Sequence, residues 1–294
     1  MDPALKARTI STLKGELPRL PPRLQVAAKY IVDHPADFGL DPIRETARKS
    51  GVSTYTFVRL ANHLSFNSFE DLREPFRHAL IASGPVTEVP DWLDDLRASG
   101  SVGEAQAEAA ANSIGIVHRS LERQSAEQME RVVSMLLDAQ SVYLTAMRAS
   151  YGLAYYFHYV GRMALPSLHL IPRHMGSAID DLNDAGLGDV LIAITFTPYS
   201  RETIEACAFA QKRGVKLIIL SDSEIVSPAF TPDETLIASV VSAHHFCCYA
   251  GVMAVIESLL SVFVNAGGPD AAQRIRDYED LRRSHDAYWR THKR

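Results

Sequence analysis

Short aliphatic segments alternate with helical patterns through the second half of this 294-residue chain. The aliphatic segments cover residues 141–146, 168–172, 190–195, 215–220 and 235–240. The helical patterns that separate or follow them cover residues 150–162, 176–183, 200–213 and 247–264. Strands that alternate with helices form a parallel sheet covered on both faces. The sequence therefore predicts an α/β domain in which a five-stranded parallel sheet is the middle layer of a three-layer sandwich.

The first part of the chain has a different pattern. Between residues 24 and 80 the apolar side chains recur at helical spacing, and no stretch alternates in the way that a half-buried strand does. Proline and serine stand at positions that begin helices. The predicted helices cover residues 23–32 and begin at Pro42, Ser53 and near Ser68. We expect an all-α domain here.

A segment with one glycine and two prolines, residues 83–90, separates the two patterns. The chain is also longer than one typical domain, so two domains with separate cores are expected. The predicted division is a helical domain at 1–82, a linker at 83–100, an α/β domain with two leading helices at 101–268, and a helical tail at 269–294.

The charge is divided unevenly between these parts. Residues 1–80 carry a net charge of +3 and the rest of the chain carries −8, within a total of −5. A basic first domain is suited to the phosphates of DNA, whereas an acidic body is not. The asymmetry favours a DNA-reading domain at the start of the chain.

Several classes of protein are disfavoured. The first 13 residues lack the apolar run and cleavage site of a secretion signal, so we expect a cytoplasmic protein. Glu257 interrupts the most apolar stretch, residues 247–264, which favours a buried helix over a membrane span. Three cysteines without paired spacing favour inert core thiols over a zinc site or disulfides, and we expect no metal and no cofactor. These cysteines are Cys207, Cys247 and Cys248.

The segment from Ile43 to Ser53 carries the residues of a tight turn between two helices. Ala47 is small enough to let a second helix cross closely, and Gly51 permits a positive φ at the helix end. Val52 is expected to fill the core, and Ser53 to cap the next helix. This pattern is typical of a helix-turn-helix.

On the helix that begins at Ser53, the residues Phe57, Leu60 and Leu64 share one face, which leaves a polar face to enter a DNA major groove. Residues of its first turns are placed to touch base edges, whereas Arg59 and the Arg48-Lys49 pair suit phosphates. The predicted DNA-contacting residues are Arg48, Lys49, Ser53, Thr54, Tyr55, Thr56, Arg59 and His63. A helical bundle that only dimerises is the alternative.

These residues resemble the bacterial RpiR/MurR family of transcriptional regulators. The matching positions are the helix leading to His34-Pro35, then Ile43 to Ala47, Gly51-Val52-Ser53, Thr56, Arg59, Leu64, Phe66 and Phe69. The strand and helix order of the second part is similar to the sugar isomerase (SIS) domain that family members carry. The resemblance implies a homodimer or homotetramer, a roughly palindromic double-stranded DNA operator, and control by a phosphosugar or related metabolite.

Ligands of a parallel sheet bind beyond the carboxyl ends of its strands, where loops offer N–H groups to anions. Three loops occupy such positions, after the first, third and fourth predicted strands. The predicted effector-contacting residues are Arg148, Ser150, Thr195, Thr197, Ser200, Arg201, Ser221 and His244. Two further pairs, Arg173-His174 and His244-His245, are also candidates. For each pair, contact with the effector and a purely structural role are both possible interpretations.

The loops depart from the usual SIS pattern, which has a glycine-rich first loop ending in serine and a second loop of the form Ser-x-Ser-Gly-x-Thr followed by Glu. The chain keeps the hydroxyls and the acidic Glu202, but Pro198 replaces the glycine and has no N–H to donate. Arg148 and Arg201 can supply forked donors in compensation. The alternative is that both are surface arginines and the hydroxyls cap helices.

The SIS fold also hosts aldose-ketose isomerases, so a sugar-phosphate isomerase is the rival prediction. Its base would be a carboxylate or an imidazole, for which Glu202 and His244 are the candidates. The fused DNA-reading domain favours sensing over catalysis. We therefore predict a regulator with no catalytic residues.

Overall fold

The computed structural model describes residues 5–82 and 91–289. The chain divides into two units, one formed by residues 1–90 with 223–228 and the other by residues 91–222 with 229–294. The first part of the predicted linker, residues 83–90, lies outside the described residues.

The first unit is built from helices. They are α1 (Leu5–Glu16), α2 (Pro22–Asp33), α3 (Pro35–Leu40), α4 (Ile43–Ser50), α5 (Thr54–His63) and α6 (Phe69–Ala82). Aromatic rings fill the centre: Phe38 is fully buried, and its ring centroid lies 5.0 Å from that of Phe76 and 6.4 Å from that of Phe57. Because three different helices contribute these rings, they fix the helices relative to one another.

The helix α1 is absent from the sequence prediction. Its segment carries few apolar residues, and only a narrow stripe of them packs against the core of the first unit. In this stripe Leu13 is fully buried, and Ile10 packs against the same core. Contacts with α2 and α6 stabilise this helix. Tertiary packing, rather than a strong amphipathic pattern, accounts for α1.

The second unit combines strands and helices. Before the first strand come α7 (Asp91–Ala98), α8 (Ser101–Leu121) and α9 (Ala126–Leu137). The remaining elements are β1 (Val142–Ala146), α10 (Ser150–Ala164), β2 (Leu168–Ile171), α11 (Ala178–Asp181), β3 (Val190–Ile194), α12 (Arg201–Lys212), β4 (Lys216–Ser221), β5 (Glu234–Ile237), α13 (Ala250–Ala266) and α14 (Gly268–Ser284).

The five strands form one sheet in the order β2-β1-β3-β4-β5, and every neighbouring pair is parallel. Leu144 of β1 is opposite Ile192 of β3, which in turn is opposite Ile218 of β4. The predicted α/β class and the parallel sheet are confirmed. The order of the strands places the ends of β1, β3 and β4 next to each other.

Helices cover both faces of the sheet. On one face, Leu144 and Ile192 belong to a core that α9, α10 and α13 complete. On the other face, α12 packs against β3 and β4 and buries Cys207. This is the predicted three-layer sandwich, and burial on both faces explains why the strands read as continuous aliphatic runs.

The structure differs from the expected linker at 83–100, because residues 91–98 form α7. Leu93 of this helix is buried, and α7 packs against α8 so closely that a Cβ on Gly103 would meet the backbone of Leu96. The second half of the predicted linker is therefore part of the second unit.

The tail contains α14, as the charged amphipathic pattern predicts. The guanidinium carbon of Arg282 lies 4.4 Å from the ring centroid of Tyr278 and 5.7 Å from that of Tyr159 on α10. Residues 290–294 lie outside the described residues.

Taken singly, no described helix combines the length and apolar character that a membrane crossing requires; α13 and α14 meet that test only together, with a bend of 109° between them.

Candidate DNA-reading and effector sites

The turn between α4 and α5 has the geometry that its residues predict. Gly51 ends α4 with φ of +69°, in the left-handed region that glycine adopts without steric cost. Val52 and Ala47 are buried in the core. The Ser53 hydroxyl accepts a hydrogen bond from the Thr56 N–H at 3.3 Å and so caps α5. The two helices therefore form the short, capped junction of a helix-turn-helix.

The helix α5 has one buried and one polar face. Phe57 and Leu60 are fully buried, whereas Tyr55 is 68% exposed. Among the predicted DNA-contacting residues of α5 and its cap, the exposed ones are Ser53, Thr54, Tyr55, Arg59 and His63. An α-helix with an exposed polar face of this kind fits into the major groove of DNA.

Thr56 does not belong to the polar face. Its side chain is only 8% exposed, and its hydroxyl lies 2.9 Å from the hydroxyl of Ser53. Because Thr56 turns inward to complete the helix cap, the expectation that it contacts DNA is corrected.

Two of the predicted phosphate-binding cations are paired with carboxylates. Lys49 Nζ lies 2.8 Å from Asp41 and 3.3 Å from Asp37, and the bond to Asp41 in particular raises the pKa of Lys49. Arg48 Nε donates to Glu45 at 2.9 Å, which raises the pKa of Arg48. An exposed pair such as Arg48–Glu45 exchanges easily with a phosphate. Lys49, which bridges two carboxylates, is instead assigned to holding α4 in place, and its predicted DNA contact is corrected.

On α4 and α5, two exposed arginines form no ion pair with the described residues: Arg59, which the sequence predicts, and Arg44, which it does not. The only sequence signal for Arg44 is its position on α4 in a basic segment. The remaining predicted residue, His63, is exposed, and its Nε2 lies 2.7 Å from a carboxylate oxygen of Glu16 on α1. On these two helices, Arg59 and Arg44 are therefore the cations most available to phosphates.

The candidate effector site lies at the edge of the sheet where β1, β3 and β4 end. Ser150 begins α10, Thr195 follows β3, and Ser221 ends β4. All three are buried. Adjacent parallel strands bring these loops to one edge, as the sequence predicts.

In the first loop, Arg148 adopts φ of +58°, a left-handed conformation that glycine takes more easily. The side chain is exposed. The pKa of Glu202 is lowered chiefly by the hydrogen bond from the Ser200 hydroxyl, and the positive charge of Arg148 contributes to that shift. Arg148 is thus near the second loop, where it can meet an anion.

In the second loop the polar groups bind one another. The Ser200 N–H donates to Thr195 Oγ1 at 3.4 Å, and the Ser200 hydroxyl donates to Glu202 at 2.6 Å. The Thr197 N–H donates to the carboxylate of Asp222, at 3.3 and 3.4 Å from its two oxygens. The sequence prediction missed Asp222, although an acidic residue directly after β4 was the available signal.

Two predicted effector residues do not join this arrangement. The Arg201 side chain is 89% exposed and donates to Glu205 at 2.7 Å, one helical turn further on. Arg201 therefore pairs outside the loop groups in this structure, and its role as a forked donor in the site stays a prediction. His244 is exposed on the segment before α13, and its ring nitrogen accepts from the backbone N–H of Phe246 at 3.2 Å. This bond gives the imidazole a structural role.

Burial distinguishes the three cysteines. Cys207 is buried, and this burial raises the pKa of its thiol to about 12, as expected for an inert core thiol. Cys247 and Cys248 are half-buried, which corrects their assignment to the core. Cys247 Sγ lies 3.7 Å from the carbonyl oxygen of Thr197, beside the second loop. No group of three metal-ligating side chains occurs among the residues described.

An open cavity of about 550 Å³ lies in the second unit, apart from these loops. Arg97 of α7, Glu108 and Asn112 of α8, and Ser242 are among its lining residues. None of the predicted effector residues lines it.

The fold defines the class of protein: a helix-turn-helix unit joined to a parallel α/β domain covered on both faces. Residues 135–264 match the SIS domain family, so the second unit contains a SIS domain. With relatives that are named helix-turn-helix regulators and a structural neighbour named RpiR, the resemblance to the RpiR/MurR family is confirmed.

Two kinds of curated relative match the chain. A Bacillus subtilis protein named "Uncharacterized HTH-type transcriptional regulator YbbH" is 23% identical over 224 residues, which is 74% of this chain and 75% of that protein. The "Bifunctional protein glk" of Paraburkholderia xenovorans is 24% identical over 205 residues, 69% of this chain. The match spans only 31% of the length of that bifunctional protein.

Solved structures share the fold. The sugar isomerase domain of an RpiR transcription factor from Sphaerobacter thermophilus has a TM-score of 0.56 and 22% identity, and covers 60% of this chain and 98% of that one. The Vibrio vulnificus NanR protein, complexed with ManNAc-6P, has a TM-score of 0.53 and 16% identity, and covers 93% of this chain and 97% of that one.

Proposed function

We propose that this protein is a cytoplasmic DNA-binding transcriptional regulator whose SIS domain senses a small sugar-derived metabolite. The observation that carries the proposal is the capped junction at Gly51 and Ser53, which presents the polar face of α5 with Arg59 unpaired within the described residues. Helix-turn-helix proteins read bases with the first turns of such a helix and hold the backbone with cations beside it. Ser53, Thr54 and Tyr55 take the first role, and Arg59 takes the second.

The partner is a roughly palindromic operator, bound by a homodimer or homotetramer. A two-fold protein places two recognition helices one helical turn of DNA apart, which matches two half-sites. The excess of positive charge in the first 80 residues supports approach to DNA.

The effector binds beyond the ends of β1, β3 and β4. Buried hydroxyls at Ser150, Thr195 and Ser221, with Arg148 beside them, suit the hydroxyls and negative groups of a sugar derivative. A sugar phosphate and its unphosphorylated sugar are the pair to test first, because NanR, which shares the fold, is complexed with a sugar phosphate.

The test is selection of genomic DNA fragments by the purified full chain, repeated across salt concentrations. Specific sites persist at salt levels that remove phosphate-driven background. The matched variants are Arg59→Ala, expected to weaken binding, and Arg97→Ala on α7, expected to leave it unchanged.

Enrichment of a palindromic sequence by the wild type, with loss of enrichment in Arg59→Ala, supports the regulator. Equal enrichment by both proteins contradicts the role given to Arg59. If no sequence is enriched, the helix-turn-helix does not read DNA, and assays for sugar-phosphate isomerisation test the rival activity, with Glu202 as the candidate base.

A further inference from the structure

We propose that Asp222 is a specificity-determining residue of the effector site. Its carboxylate accepts a hydrogen bond from the backbone N–H of Thr197, at the place where a ligand anion would bind. The site therefore selects effectors that present hydroxyl or ammonium groups and disfavours those that present phosphate. The inference rests on the proposed function, because it names the ligand chemistry of the same site.

The geometry places Asp222 in the role of an internal anion. Asp222 follows β4 directly, and its two carboxylate oxygens lie 3.3 and 3.4 Å from the Thr197 nitrogen. The hydroxyl of Ser221, which is fully buried, donates to the same carboxylate at 3.2 Å. One donor from the second loop and one from the last residue of β4 therefore hold this carboxylate at the end of the sheet.

Two further donors of the second loop are also in use, and one position of the loop has no donor. Pro198 has no N–H, and the N–H of Ser200 donates to the Thr195 hydroxyl. The hydroxyl of Ser200 donates to Glu202. A phosphate needs several free donors at once. It must displace Asp222 to obtain the Thr197 N–H.

The charges act in the same direction. Asp222 and Glu202 contribute two negative charges near this loop, and Arg201 is engaged by Glu205 outside it. The positive charge of Arg148 acts on Glu202. A phosphate dianion placed here is repelled by both carboxylates, whereas a hydroxyl or an ammonium group donates a charge-assisted hydrogen bond to Asp222.

The experiment titrates inorganic phosphate into the full chain by calorimetry at low salt. The variants are Asp222→Asn, which removes the charge and keeps an acceptor, and Asp222→Ala, which removes both. Glu130→Gln is the matched control, because it removes one negative charge from an exposed position of α9, which does not contribute to this loop.

We expect both Asp222 variants to bind phosphate with a Kd at least tenfold lower than the wild type, and Glu130→Gln to match the wild type. An unchanged or higher Kd in both Asp222 variants overturns the inference. The absence of saturable phosphate binding in every protein also overturns it, because the Thr197 N–H is then not a phosphate donor that Asp222 withholds.

The result is independent of DNA binding. If the Asp222 variants gain phosphate affinity while the fragment selection finds no operator, the proposed function fails and the assignment of Asp222 stands. If an operator is found and phosphate affinity does not change, the regulator stands and the assignment of Asp222 fails.

Discussion

Gly251 of α13 packs so closely against Ile116 of α8 that a Cβ at Gly251 would lie 2.8 Å from the Ile116 carbonyl oxygen. The same Cβ would lie 3.0 Å from the carbonyl oxygen of Ser239. Backbone oxygens cannot rotate away as a flexible side chain can. The contact therefore allows only glycine, and it attaches the leading helix α8 to the SIS domain.

We predict that Gly251→Ala lowers the free energy of unfolding of the second unit by about 1–3 kcal/mol, because the overpacked methyl group forces the helices apart. Gly152→Ala on α10 is the control: no atom lies within 4 Å of its Cβ position, and we expect a gain of about 0.5–1 kcal/mol. Denaturant unfolding followed by tryptophan fluorescence measures both. Equal stability of the two variants would contradict the packing argument.

Ser53 has two roles that a pair of substitutions separates. Ser53→Ala removes the cap of α5 and should cost about 1 kcal/mol, seen as faster amide hydrogen exchange at the start of that helix. Ser53→Asp retains a capping oxygen and should restore the protection, while its charge repels DNA phosphates and weakens operator binding. Unchanged exchange in Ser53→Ala would show that the cap is dispensable.

Arg59 and Lys49 should differ in what their removal affects. Because Arg59 has no ion pair among the described residues, Arg59→Ala should lower the slope of log K against log salt by about 1. Lys49→Ala, which breaks the contacts with Asp41 and Asp37, should cost about 0.5 kcal/mol of stability and leave the slope unchanged. DNA titrations at several salt concentrations, with denaturation of each variant, measure the two effects; a reversed pattern would refute the assignment.

Arg148 combines backbone strain with a useful charge. Its φ of +58° suits glycine, so Arg148→Gly should raise the free energy of unfolding by about 1 kcal/mol, whereas Arg148→Ala should not. Both variants lose the guanidinium and should bind inorganic phosphate equally weakly. Thermal unfolding and phosphate titration of the two variants provide the comparison, and a Gly variant less stable than the Ala variant would count against strain at this position.

The cysteines should react in the order of their burial. Iodoacetamide at pH 8 is expected to label Cys247 and Cys248 in the folded protein and to label Cys207 only after unfolding, as read by peptide mass spectrometry. Rapid native labelling of Cys207 would contradict its burial.

A pH dependence of stability follows from the Cys207 thiol. Burial raises the pKa of this thiol to about 12, whereas the pKa of an unfolded thiol is about 8.5. The unfolded state therefore releases its proton first, and the free energy of unfolding should fall as pH rises above about 8.5. Cys207→Ala should remove this part of the dependence, and an unchanged profile would assign it to other groups.

The sequence by itself determined the fold class and the helix-turn-helix. The aliphatic runs of β1 to β5 predict a buried parallel sheet, and Gly51 with Ser53 predicts the turn and its cap, because both signals are local. Backbone conformation at glycine, helix capping and hydrophobic period depend on neighbouring residues only.

The tertiary structure decided which polar side chains are available. Sequence position places Thr56, Lys49 and Arg201 among the binding residues, but each is taken by a partner: Ser53, two carboxylates of the first unit, and Glu205. The tertiary structure also brings Asp222 to the Thr197 N–H, 25 residues away along the chain, and no local pattern encodes this contact. Local periodicity determines which face of a helix or strand carries a side chain. Its role depends on which hydrogen-bond or ion-pair partner it finds, and many of those partners come from distant segments of the chain.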